Sequence, residues 1–240
     1  MERLRRTHLL KRTKDDCMAQ EQTWHIGTNG PWLTVSGETR HPRGAVLILH
    51  GGDVNSTAAT TPWEAAVLRM IPFAWALRRA WSDSGLVVMR LRLRLRGWNG
   101  TGTDALADTR RALEEVERRF GPIPVVTTGH SMGGRAVLRA ADAPHVRGVL
   151  GLAPWICDND PVEPLRDRHL LIAHADFDAT TSPDESRAYV HRAREVAASA
   201  DFVPVHLDSH PMVRISRWNE LAVAFTGHVL GWAGTCTAAR

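Results

Sequence analysis

Val125-Val126-Thr127-Thr128-Gly129-His130-Ser131-Met132-Gly133-Gly134-Arg135-Ala136-Val137-Leu138 is the stretch on which the reading of this 240-residue chain turns. Val125–Thr128 reads as a strand and Met132–Ala141 as a helix, so the G-x-S-x-G between them falls on a strand-to-helix turn. Such a turn lifts Ser131 Oγ above the carboxyl edge of a sheet, and Gly129 and Gly133 stand where side chains would collide across it. The amides that open the helix at Met132 point to where negative charge develops when a nucleophile attacks a carbonyl. The plainer alternative is a small-residue turn that packs a strand on a helix.

Outward from this turn the same alternation recurs. Trp24–Ile26 and Trp32–Val35 flank Asn29-Gly30-Pro31 and predict a hairpin. Ala45–Leu49 is an apolar strand that stops at His50-Gly51-Gly52, and a helix pattern from Trp63 to Ala80 is bent or split by Pro72. Strands are predicted at Leu86–Met89, Val146–Leu152, Leu170–Ala173 and Phe202–Leu207, and helices at Asp104–Phe120, Asp184–Ala198 and Ile215–Leu230. This order implies an α/β fold with a mainly parallel central sheet and helices on both faces. Residues 1–20 are charged and without period and predict a flexible basic tail, with Met18 an alternative start; residues 21–240 predict a single domain.

Composition narrows the function classes. Apolar residues at 43% and charged residues at 23% supply a sizeable core and exclude wholesale disorder. The formal charge of +4 is local: residues 1–16 hold six of the 30 cationic side chains and three of the 26 acidic ones, leaving 24 against 23. A body so nearly neutral argues against nucleic acid as a partner. Cys17, Cys157 and Cys236 are dispersed and form neither a disulfide framework nor a metal knuckle. Leu9-Leu10 is no signal-peptide core, and Leu221 to Ala233 is too short to cross a bilayer. A soluble cytoplasmic protein with no membrane partner is expected.

With these motifs the chain resembles the α/β-hydrolase superfamily over about residues 22–233. It is most similar to the small, lidless serine esterases, including the dienelactone-hydrolase-like group, whose nucleophile is usually cysteine where this chain has Ser131. The resemblance implies a serine–acid–histidine triad in that chain order. His210, in Asp208-Ser209-His210-Pro211-Met212 between the last strand and the last helix, stands where the family keeps its base. The competing His206 falls inside the strand pattern. For the acid, His174-Ala175-Asp176-Phe177-Asp178 lies where family members carry H-G-x-x-D, which aligns Asp178; Ala175 in the glycine place leaves Asp176 as the alternative. His50-Gly51-Gly52-Asp53 resembles the oxyanion turn, with the amide of Gly52 or Asp53 and that of Met132 as donors and His50 as a buried structural residue.

Two further features bear on substrate. Between Trp155 and His169 there is no room for a cap domain, so the site is expected to be open, with Trp155, Trp98 and Met212 as pocket walls or, alternatively, core. Arg90-Leu91-Arg92-Leu93-Arg94-Leu95-Arg96 alternates with strand period and offers either an anion-recognition edge or a face whose charges are paired. The resemblance implies hydrolysis of a small-molecule ester or thioester through an acyl-enzyme, with no cofactor and no metal. An acyltransferase, a lactone-forming or an elimination enzyme would use the same triad. A non-catalytic ligand-binding protein of the same fold is the rival from another class, against which the intact Ser131 and His210 argue.

Overall fold

Gly44–Leu49 (β3) and Val125–His130 (β5) are buried along their whole length. That is what a strand flanked by partners and covered on both faces requires. In the computed structural model, which describes residues 21–232, they form the middle of an eight-stranded sheet. The others are β1 (Gln22–His25), β2 (Trp32–Gly37), β4 (Leu86–Arg92), β6 (Val146–Leu152), β7 (His169–Ala175) and β8 (Ser199–Val205). The spatial order is β1-β2-β4-β3-β5-β6-β7-β8. The β1–β2 and β2–β4 pairs are antiparallel, and every later pair is parallel. The expected tail, Cys17, Met18 and Cys236 lie outside the described residues.

Alternation along each strand divides the core in two. Ala45, Leu47 and Leu49 join a cluster with Leu113, Val116, Val137 and Val190, under α3 (Thr103–Phe120), α4 (Met132–Arg139) and α5 (Pro183–Ala193). Val46 and Ile48 join the opposite cluster with Phe73, Leu77, Trp218 and Phe225, under α2 (Ile71–Ala80) and α6 (Ile215–Val229). Pro72 splits the first helical stretch as expected: α1 is only Ala65–Leu68, and Pro72 sits in the first turn of α2, where its missing N–H is harmless. The β6–β7 connection, residues 153–168, holds one 3-10 turn at Glu163–Leu165 and no cap domain. No helix among the described residues is long and apolar enough to cross a membrane.

Three expectations need correction. Arg90–Arg96 is not one strand: β4 ends at Arg92 because the next backbone amides are captured by side chains. Leu93 N–H donates to His50 Nε2 (3.1 Å) and Arg94 N–H to Asp108 Oδ2 (2.8 Å), so the ladder stops. The guanidinia then part company. Arg90 pairs with Glu21, Arg94 with Asp108 and Asp104, and Arg96 with Glu64, while Arg92 donates to the Thr60 carbonyl. Second, the helix predicted to reach Ala198 ends at Ala193, and the last strand starts earlier and ends at Val205. Third, His206 therefore lies beyond the strand, followed by Leu207 at a positive φ of 56° that turns the chain away from the sheet.

Candidate active site

All the parallel strands run to one edge, and the loops that leave this edge carry the residues singled out by chemistry. Ser131 follows β5 directly with φ 54° and ψ −119°, a conformation sterically costly for any L-residue with a side chain. Neighbours hold it there: Ser131 N–H donates to the Leu152 carbonyl, and the Ser131 carbonyl accepts from Trp155 N–H and Arg135 N–H. Glycine at 133 is needed because a Cβ there would strike the His50 carbonyl of the adjacent turn. That turn is close on the other side too, since a Cβ on Gly51 would lie 3.2 Å from Ser131 Cβ.

The amides of the turn are not equivalent. Asp53 N–H donates to the Arg96 carbonyl at 2.9 Å, and the Asp53 carbonyl accepts from Trp98 N–H at 2.9 Å, which straps the turn to the segment after β4. Gly52 N–H has no acceptor among the described residues. Met132, the first residue of α4, has an amide without an intrahelical acceptor. His50 is buried, with Nδ1 2.6 Å from the Gly51 carbonyl oxygen, and burial lowers its pKa.

On the loops after β7 and β8, His210 Nδ1–H donates to Asp178 Oδ2 at 2.7 Å. Asp178 is held from every side. Oδ1 accepts from the amides of Thr180 (2.8 Å) and Thr181 (2.9 Å), while Oδ2 lies 3.0 Å from Thr181 Oγ1 and 3.2 Å from His174 Nε2. Burial alone would raise the pKa of this carboxyl. The hydrogen bonds from His174, His210 and the two threonine amides outweigh it and hold the group well below the usual carboxylate range. Asp176 turns elsewhere, to an exposed pair with His206 at 2.7 Å. The His210 ring lies 4.7 Å, centroid to centroid, from that of His130, the residue before Ser131. His130 Nε2–H donates to the His210 carbonyl at 3.0 Å. Burial, and then the neighbouring His210, push the His130 pKa down to about 3, so this ring is neutral.

The pocket candidates separate. Trp155 is partly exposed after β6. Trp98 is buried edge-on to it, and Arg135 lies against both rings, 4.6 and 4.7 Å from the centroids. Met212 is buried in the cluster under α2 and α6. Sequence reasoning missed two groups. One is the set formed by His174, Thr181 and Ser186. The other is Asp208, whose Oδ1 accepts from Ser209 and Val213 amides and whose Oδ2 accepts from Arg214 N–H and Trp218 Nε1–H. An aspartate that opens a turn, where its carboxylate meets the amides that follow, was the available signal for the latter.

No protein-family model and no curated protein matches the sequence. Solved structures do. An α/β serine hydrolase homologue from Coxiella burnetii is 17% identical, with TM-score 0.65 over 86% of this chain and 96% of that one. Est1E from Butyrivibrio proteoclasticus is 15% identical, with TM-score 0.62 over 87% and 99%. The esterase domain of a Rhodothermus marinus protein is 16% identical, with TM-score 0.61 over 90% and 99%. With its sheet order, its strand-to-helix turn at Ser131 and these neighbours, the chain has the α/β-hydrolase fold.

Proposed function

We propose that this chain is a serine hydrolase that cleaves carboxylic ester or thioester bonds of small molecules. Ser131 Oγ attacks the carbonyl carbon while His210 Nε2 takes its proton, and the amides of Gly52 and Met132 hold the oxyanion. Collapse of the tetrahedral intermediate expels the alcohol or thiol, which leaves with the proton from His210. Water, deprotonated in turn by His210, then attacks the acyl carbon, and the acid leaves as His210 returns the proton to Ser131 Oγ. Asp178 stays ionised throughout; it keeps the Nδ1–H tautomer of His210 and stabilises the imidazolium.

The observation that carries this reading is a serine at φ 54° on the β5–α4 turn, with a histidine bonded to a buried carboxylate on the same sheet edge. Thermogutta terrifontis esterase 2 with butyrate or propionate bound, and Est1E with ferulic acid bound, support a carboxylic acyl group as the part accepted. Of the three pocket candidates, Trp155 is the one we assign to substrate contact. Dispersed thiols fit a reducing compartment, and a cytoplasmic location completes the proposal. The test is turnover of p-nitrophenyl butyrate together with labelling by a fluorophosphonate. Ser131→Ala should lower kcat/KM by about 10³-fold or more and abolish labelling. Equal turnover by the variant would overturn the assignment.

A further inference from the structure

Asp178 Oδ2 receives more than one histidine. Besides His210 Nδ1 at 2.7 Å, it faces His174 Nε2 at 3.2 Å. His174 comes from β7, four residues before Asp178, and is buried, so it reaches a substrate only through the carboxylate. An ionised carboxylate only accepts, so His174 Nε2 carries its hydrogen towards Asp178. Nδ1 is then an acceptor, and the buried Ser186 hydroxyl donates to it at 2.8 Å. Ser186 is fixed one turn into α5 by the helix start itself, where Ser182 Oγ accepts from Glu185 N–H and Pro183 opens the helix. Ser186 thus selects the His174 tautomer that can donate to the acid.

Resting on that reading of Ser131, Asp178 and His210, we propose that Ser186 and His174 form a buried relay behind Asp178. His174 is a positioning residue that sets how much of the carboxylate's charge is left for His210. Each donor on Oδ2 spends part of the negative charge that stabilises protonated His210, so the second histidine holds the base weaker than a lone Asp–His pair would. Other groups facing this assembly are fixed. His130 lies beside His210 from β5, and the Arg69 charge beyond it acts on His130 from the end of α1. Thr181 Oγ1 stands between the two histidines, 3.2 Å from His210 Nδ1 and 3.3 Å from His174 Nε2.

The experiment titrates His210 by NMR in the full chain with labelled histidines, beside the pH profile of kcat/KM on p-nitrophenyl butyrate. His174→Ala should raise the His210 midpoint and the acidic limb together by about one pH unit. In the same variant kcat should fall severalfold while KM stays within about a factor of two. His174→Gln, whose side-chain amide donates from the same place, should bring the midpoint back towards wild type. Ser186→Ala should shift it the same way by less, and it takes the place of His174→Ala should that variant not fold. An unmoved His210 midpoint, or a glutamine variant that fails to restore it, overturns the relay even where activity falls. A midpoint that moves in a chain with no ester turnover leaves the relay standing and overturns the hydrolase reading instead.

Discussion

A neutral histidine beside Ser131 makes acid stability a local matter. Folded, His130 binds a proton only near pH 3, because burial strips its charged form of water and His210 lies beside it. Unfolded, it binds one at about 6.5. Its contribution to stability is therefore whole above about pH 6.5 and is lost as pH falls towards 3. Asp178, whose carboxyl lies below its ordinary range, contributes fully above about pH 4 and loses its effect only below that. The urea midpoint should thus decline between about pH 6.5 and 4, before the carboxylate matters. His130→Gln, which keeps a donor for the His210 carbonyl, should flatten part of this decline; buried His50 and part-buried His169 act in the same sense. A wild-type midpoint level across the window would contradict a neutral buried ring. At this scale the sharp turn at Ser131 and the pairing of His210 with Asp178 are legible because motif and chain order mark them. His174 and Ser186 are not, because only the fold brings α5 behind the β7 loop.

Elements are legible wherever apolar period and covering layers agree. β6, fully apolar but for Arg147 and its glycines, has the bounds the sequence predicts. The end of β4 is illegible for a physical reason: the Arg–Leu alternation continues past the residue where the ladder stops. What stops it is His50, 43 positions away, and Asp108, on α3. Asp108 is buried and meets both the backbone amide and Nε of Arg94, whereas Asp104, the second partner of Arg94, is half exposed. Asp108→Ala should therefore destabilise the protein by on the order of 3 kcal/mol, since it leaves the backbone amide and the Nε–H of Arg94 without acceptors. Asp104→Ala should cost less than about 1 kcal/mol. Urea denaturation of the two variants checks the contrast, and equal losses would mean that α3 does not hold the segment after β4 through Asp108.

Across the whole molecule, charge has been spent on structure. The arginines that alternate along residues 90–96 answer to Glu21, Asp104, Asp108, Glu64 and the Thr60 carbonyl, and the described body is close to neutral. Little net field remains to steer a ligand. For an anionic ester, kcat/KM should change by less than about twofold between about 50 and 500 mM salt. A steep fall with salt would point to an anion-seeking edge after all. Length was a fair guide to this scale: the described residues hold eight strands and their covering helices, and the connection after β6 has no residues to spare for a cap.

Asp208 ties these scales together. Its carboxylate fixes residues 209, 213, 214 and 218, and its carbonyl accepts the amide of Phe177, next to Asp178. For anyone redesigning this protein, the loop that carries Asp178 and the loop that carries His210 are consequently a single cassette. Diversity introduced at exposed Phe177, Leu207 or Val213 changes what the rim presents without touching the stitching. A graft of the Asp178 loop alone would import an aspartate without the Asp208 carbonyl that holds the neighbouring amide of Phe177.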